Sequence, residues 1–199
     1  MMDNEAVPPM PVPLIPDTKA TRKVASVLAG HGMEDRLKTL AETARSSAEA
    51  AAALKVETAA IVKTLVMDYT PDEGPLKGQV MPLAILISGD RQCHVDVIPK
   101  ILGLGGMVSR PDASRVKAVT GYSIGGVSPV GLPDDVVVLI DAALTRSDIV
   151  WAAAGHTHLV FGCSFAELQR LTGGRVTGDI SIGTCLLYTS PSPRDTSSS

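Results

Sequence analysis

Residues Thr120-Gly121-Tyr122-Ser123-Ile124-Gly125-Gly126-Val127-Ser128-Pro129-Val130-Gly131 restrict the fold more than any other stretch of this 199-residue chain. Four glycines and a proline in twelve positions rule out an ordinary helix or strand. Glycine reaches backbone angles that other residues avoid and lets another group come close to the main chain. Pro129 fixes its own φ, donates no N–H and pushes Ser128 into an extended conformation. The expected result is a loop of fixed path with unobstructed main-chain N–H groups, suited to a carbonyl oxygen, a ribose or a phosphate. A P-loop is excluded, because Gly-Gly-Val stands where Gly-Lys-Ser/Thr is required. Gly121-Tyr122-Ser123-Ile124-Gly125 spells the Gly-x-Ser-x-Gly nucleophile elbow, but that motif joins a strand to a helix. Here the preceding run has a helical pattern, and residues 126–129 cannot open a helix. The plain alternative is a tight connection between two elements.

Length predicts one domain with a real core, and 45% hydrophobic residues is a globular composition. Aromatics are only 3%, which argues against a broad base-stacking platform. A net charge of −3 argues against a wide phosphate-binding surface. If RNA is the partner, contact should be local, at the end of that molecule. Cys93, Cys163 and Cys185 form no CxxC pair, which reads as a reducing compartment with buried or incidental thiols. The N-terminus carries no basic region followed by an apolar run, and the longest apolar stretch, residues 81–87, is far shorter than the ~20 residues of a spanning helix. A cytoplasmic protein is expected.

Along the chain, residues 1–16 hold five prolines and read as an extended, mobile leader. Asp17 or Thr18 can cap a helix with apolar face Ala20, Val24, Val27 and Leu28, ended by Gly30. Residues 36–40 are a weak strand candidate. Ser46-Ser47-Ala48-Glu49 is a capping box for an alanine-rich helix running to Leu54. A short helix over 58–61 leads to a strand at 63–67, then a polar, exposed loop over 68–78. Residues 80–88 read as a buried strand, with Pro82 indicating that it begins at an edge. Residues 95–102 have helical spacing if Pro99 lies in the first turn. A helix over 112–120 should stop at Gly121. Pro133-Asp134-Asp135 reads as a turn before a central strand at 136–140. Residues 141–144 form a turn or one helical turn, strands follow at 149–154 and 159–161, and Ser164-Phe165-Ala166-Glu167 caps a last helix ending near Gly173. Short strands interleaved with short helices predict a mixed-sheet α/β or α+β domain over residues 17–184. Residues 185–199 lack periodicity and look like translated adapter sequence, with a disordered native tail as the alternative.

Among side chains, Lys63 opens an apolar strand, where a charge must reach water or a ligand. On the residues alone it reads as a solvent-facing lysine at a strand edge. His156-Thr157-His158 would put two imidazoles on one face of a strand, as two metal ligands might stand, but no third ligand lies nearby in sequence. Ser123, Ser128 and Cys163 are the nucleophile candidates. Ser123 followed by Asp141 and His156 or His158 has the chain order of a hydrolase triad, without its strand-turn-helix context. Ser128 reads better as a hydrogen-bonding loop residue. Ser88-Gly89-Asp90 either borders a pocket or forms a plain turn.

The twelve-residue loop resembles the signature loop of the YbaK/prolyl-tRNA synthetase editing-domain family. Three further blocks resemble that family in the right order: residues 46–51 through Ile61-Val62-Lys63-Thr64-Leu65-Val66, then Val150-Trp151-Ala152-Ala153-Ala154-Gly155, then Ser164-Phe165-Ala166-Glu167-Leu168 through Leu171-Thr172-Gly173-Gly174. The resemblance covers roughly residues 17–182. The resemblance implies a curved, barrel-like mixed β-sheet surrounded by short helices and a free-standing deacylase of mischarged aminoacyl-tRNA, with alanine, serine or cysteine on tRNA(Pro) as substrates. It implies partners at the acceptor end of tRNA and a synthetase, no membrane or DNA, and no metal or other cofactor. Lys63 would hold the terminal adenosine and its phosphate and favour charge on the ester. Gly125, Gly126, Ser128 and Pro129 would complete the catalytic loop, with Ser88, Tyr122, Val127, Gly155 and His158 binding substrate. The substrate's own ribose hydroxyl would assist an attacking water. Two departures count against cysteine specificity: Val160 replaces an aspartate and Ser46 an aromatic of the cysteine-removing branch. A catalytically silent tRNA- or synthetase-binding module is the alternative, followed by a small-molecule esterase using Ser123.

Overall fold

The computed structural model describes residues 15–183. Most of the expected leader, the tail over 185–199 and Cys185 lie outside the described residues.

Local capping chemistry starts and stops the helices. Thr18 caps α1 (Lys19–Gly30), accepting from the Thr21 N–H at 3.1 Å. After β1 (Leu37–Thr39), Ser46 and Glu49 close the expected capping box on α2 (Ser47–Leu54). Two long strands follow, β2 (Val62–Pro71) and β3 (Met81–Ser88), then the short β4 (Arg91–Cys93). Pro99 lies in the first turn of α3 (Ile98–Leu102), where its missing N–H costs nothing. Beyond β5 (Gly106–Ser109), Asp112 caps α4 (Ala113–Thr120), which Gly121 ends at φ 77°. The remainder is β6 (Val137–Asp141), β7 (Val150–His156), β8 (Leu159–Cys163), α5 (Phe165–Thr172) under its Ser164/Glu167 capping box, β9 (Arg175–Thr177) and β10 (Ser181–Gly183).

The fold is mixed α/β, as expected. Its described strands form a five-stranded sheet in the order β5-β2-β3-β6-β9, a three-stranded sheet β1-β8-β7 and a pair β10-β4. In the large sheet β2 runs antiparallel to β3 and β5, whereas β3, β6 and β9 are mutually parallel. None of these sheets closes or curls into a barrel, so the barrel-like part of the expectation does not stand. A lone parallel bridge, Ile61 to Trp151, ties the start of β2 to β7.

Because successive side chains in a strand face opposite ways, the large sheet feeds two cores. Val62, Val66, Leu86 and Ile140 pack with Val24, Leu28, Tyr122 and Phe161 on one face. Met67, Leu83, Ile85, Ile87 and Leu139 pack with Ile98 and Ile180 on the other. A strand buried on both faces reads as a continuous apolar run, which is why β3 was legible. The end of β2 was not. Residues 68–71, expected in an exposed loop, continue the strand and pair with β5. Their polar groups are satisfied within the fold: Asp68 bonds Arg115 at 3.2 Å, and the buried Tyr69 donates its O–H to the Gly105 carbonyl at 2.8 Å.

Candidate functional site

One cavity of about 770 Å³ opens between the first half of β2, the N-terminus of α2, the β7–β8 hairpin and the glycine-rich loop. This is the size range of small-ligand sites. At that level β2 pairs only with β3, since β5 joins it from Asp68 onward, so one flank of the strand is open.

Lys63 lines this cavity. Its ammonium donates to the main-chain carbonyl of Arg91 in β4. Burial lowers its pKa, and Asp90 and Cys93 push it back up. The carbonyl it uses is firmly held, because the Arg91 guanidinium donates to the Ser181 hydroxyl at 2.6 Å and the Ser181 carbonyl at 2.9 Å. Behind it, Arg146 grips Asp90 through two nitrogens at 2.6 and 2.9 Å and donates to Ser88 at 2.9 Å. That grip holds the Asp90 carboxyl at about 2, against the opposing effect of burial. Ser88 itself is fully buried, donates to the Ala59 carbonyl at 2.6 Å and is absent from the cavity wall.

The loop packs as a scaffold around one exposed turn. Tyr122 is fully buried and donates its O–H to the Val130 carbonyl at 2.7 Å. Ser128 is also fully buried, its hydroxyl accepting from the Val130 N–H at 3.4 Å, and Pro129 is buried beside it. Between these anchors the Gly126 N–H donates to the Ser123 carbonyl at 3.0 Å. This closes a β-turn with Gly125 at φ 90° in its third position, a φ that type II turns reserve for glycine. Gly126 therefore spends its own N–H on the turn, whereas those of Gly125 and Val127 bond no other group among the described residues. Gly125 and Val127 line the cavity; Gly126, Ser128, Pro129 and Tyr122 do not. A Cβ on Gly126 would meet the His156 nitrogen at 3.1 Å and the Gly155 carbonyl carbon at 3.2 Å. Gly155, at φ 86°, lies against the main chain of Ala20, 2.8 Å from where its Cβ would be.

The two histidines part company. His158 turns away to Thr43, its Nε2 2.6 Å from the Thr43 hydroxyl. His156 lines the cavity. Their ring centroids are 5.5 Å apart, but among the described residues no three His, Cys, Asp or Glu gather as metal ligands. The hydrolase-triad reading fails on geometry. Asp141 is fully buried and occupied by the Ser181 hydroxyl and the Ala143 N–H. The glycine loop follows α4 instead of a strand. Cys163 is buried, and burial pushes its thiol up to about 12, which removes it as a nucleophile.

Sequence reasoning missed three residues of this wall and gave a fourth the wrong roles. Arg45 and Arg110 join Lys63, so three cations line the cavity and no Asp or Glu does among the described residues. The Thr64 hydroxyl is the one buried side-chain polar atom without a hydrogen-bond partner among the described residues, and such an atom costs stability unless a ligand satisfies it. His156 is the fourth, read from sequence as a metal ligand or triad histidine and found here in the cavity lining. Apolar residues, among them Ile61, Val66, Trp151, Ala153, Leu159 and Val160, make up much of the rest of the lining. Ser46 and Val160, the two positions that depart from the cysteine-removing branch, both belong to the lining. Among the described residues no helix is long and apolar enough to cross a membrane.

A family model described as an aminoacyl-tRNA editing domain matches residues 41–171. Among solved structures, a proposed trans-editing enzyme for prolyl tRNA synthetase aligns with TM-score 0.70 and 28% identity, covering 83% of this chain and 99% of that one. A hypothetical protein, APE2540, aligns with TM-score 0.68 and 31% identity, covering 80% and 99%. A protein from work on epitope backbone grafting by computational design aligns with TM-score 0.70 and 29% identity, covering 83% and 99%. No curated protein matches the sequence.

Proposed function

The chain belongs to the aminoacyl-tRNA editing domain family and is an aminoacyl-tRNA deacylase, and from that premise we propose that it clears alanine, serine or cysteine wrongly attached to tRNA(Pro), alanine foremost. The observation that carries this reading is the make-up of the cavity lining: three cations, no carboxylate among the described residues, and many apolar side chains including Val160. The cations suit the phosphate and terminal adenosine of an acceptor end. The apolar side chains suit a small, uncharged aminoacyl group, and Val160 offers no carboxylate to hold a polar one.

In the reaction, water adds to the ester carbonyl, the bond from the acyl carbon to the ribose oxygen breaks, and a proton passes to that oxygen, releasing free amino acid and intact tRNA. Lys63 holds the adenosine end and opposes the negative charge that develops. The N–H groups of Gly125 and Val127 supply the main-chain contacts to the acyl oxygen. Gly126 brings the turn against the hairpin, and Ser128, Pro129 and Tyr122 keep its path. Ser88 acts through the turn behind Lys63, and Gly155 and His158 hold the hairpin. The neighbouring ribose hydroxyl assists the water, so no side-chain nucleophile is needed. The site of action is cytoplasmic, and a synthetase that presents the tRNA is a fitting partner.

The test is a deacylation panel. The protein should release alanine from alanyl-tRNA(Pro) and leave prolyl-tRNA(Pro) intact. Binding of charged tRNA without release of any amino acid would sink the reading.

A further inference from the structure

His156 ends β7, and a two-residue turn, Thr157–His158, carries the chain into β8. The hairpin is bulged just before the turn, between Ala153 and His156, and bulges re-aim side chains. Inside it, the His158 main-chain N–H donates to His156 Nδ1 at 3.1 Å. A ring nitrogen that accepts a hydrogen bond carries no hydrogen, so in the neutral imidazole the hydrogen sits on Nε2. That Nε2 bonds no other group among the described residues, and the half-buried residue lines the same cavity as Gly125.

The glycine loop and this residue are built as one corner. The turn packs so closely on the hairpin that a Cβ on Gly126 would lie only 3.1 Å from the His156 main-chain nitrogen. Among the described residues no carboxylate lines the cavity, and Asp141 is committed to Ser181 and Ala143. A histidine without an acidic partner is poorly equipped as a general base in the manner of a triad, whereas a neutral N–H held in one tautomer is a preorganised donor.

Resting on the deacylase reading, we propose that His156 is a catalytic residue of this site: its Nε2–H donates to the carbonyl oxygen of the aminoacyl ester, alongside the main-chain N–H groups of Gly125 and Val127. The neighbouring His158 is structural, holding the segment at Leu40 and Thr43. The two residues of the His-x-His pair thus divide the work, with the His158 main chain setting the tautomer that His156 uses.

Two substitutions separate this role from turn capping. In His156→Asn the side-chain oxygen falls where Nδ1 was, so the bond from the His158 N–H survives while the reach into the cavity is lost. In His156→Gln the amide nitrogen falls near the position of Nε2, so the donor survives and the turn bond is lost. The Asn variant should keep the parental melting temperature and lose about 100-fold in kcat with a smaller change in KM. The Gln variant should melt lower yet keep its rate within about tenfold. Parental rates in the Asn variant, or equal losses in both, overturn the proposal.

The parent in the same assay separates the two levels of argument, since a parent inactive on every charged tRNA counts against the deacylase reading itself. The hydrogen bond is then read directly by nitrogen-15 NMR of the imidazole, with amide-linked 3′-alanylamino-3′-deoxyadenosine as the probe. The Nε2–H signal of His156 should shift on adding the probe while the ring-nitrogen signals of His158 stay; an unmoved His156 signal overturns the proposal.

Discussion

The two polar sides of the cavity are built from different parts of the chain. The loop side, Ile124 to Val127, presents main-chain groups, and its side chains serve mostly as buried anchors: Tyr122 to Val130, Ser128 beneath the turn. The strand side, Lys63, Thr64 and Arg45, presents side chains, from the paired strand β2 and from the residue just before the N-cap of α2. Main-chain donors in a closed turn cannot drift, so they suit the atom where charge must be met at a fixed point. Long cationic side chains adjust, so they suit a phosphate backbone. On the proposed reading, the acyl group meets the loop and the nucleic acid meets the strand.

Substitutions should expose that division, the largest effect first. Lys63→Ala should lower deacylation about 100-fold and leave the melting temperature nearly unchanged, because the ammonium contributes mainly to the site. Undiminished turnover would remove it from the mechanism.

The two glycines should fail in different ways, with about a tenfold loss of rate in the more active-site-directed case. Gly126 has an ordinary φ, but a methyl there presses on main-chain atoms of 155–156 at 3.1–3.2 Å. Gly126→Ala should therefore lose rate by shifting the hairpin. Gly125 has φ 90° and only the Thr157 methyl nearby, at 3.4 Å, so Gly125→Ala should lose about 1–2 kcal/mol of stability through backbone strain. Activity loss without a thermal shift at Gly125, paired with thermal loss alone at Gly126, would reverse this assignment.

Much of the scaffold was legible before the fold was known, because its signals are local. The capping boxes at Ser46/Glu49 and Ser164/Glu167 and the stop at Gly121 each fall within a few residues and give the same answer in any context. The polar end of β2 was illegible because Asp68 is paid for by Arg115, far along the chain. The short strands β4, β5, β9 and β10 offer too few residues for a period to show. At the site, Lys63 and the glycine loop stood out, but the separate fates of Gly125 and Gly126, or of His156 and His158, depend on single hydrogen bonds. Burial of Ser88 and Tyr122 depends on partners at Ala59 and Val130. Arg45 and Arg110 had no signal, since only the fold brings them to one cavity.

Smaller effects sharpen the strand side. Thr64→Val removes a buried hydroxyl that has no partner. It should hold or raise stability, by up to about 1 kcal/mol, while KM for charged tRNA rises a few-fold. A destabilised Thr64→Val protein would show that the hydroxyl is satisfied within the fold. Salt should weaken tRNA binding with a slope equivalent to roughly two to four phosphates, and the slope should shrink in Arg110→Gln.

The smallest effect concerns acid. The Asp90 carboxyl lies at about 2 in the folded protein because of Arg146, below its unfolded value near 3.8. Its stabilising contribution is therefore complete above about pH 4 and is lost as pH falls toward 2. The melting temperature of Asp90→Asn should follow a flatter course than the parent across that window; parallel curves would refute the coupling.

The central claim is that fixed N–H donors and cations do this chemistry without a covalent enzyme intermediate. Single-turnover hydrolysis of alanyl-tRNA(Pro), quenched and read by intact-protein mass spectrometry, tests it most directly. The account predicts unmodified protein at every time point and near-parental rates in Ser123→Ala. An alanyl adduct that forms and decays at the rate of turnover, and vanishes in Ser123→Ala, would contradict it.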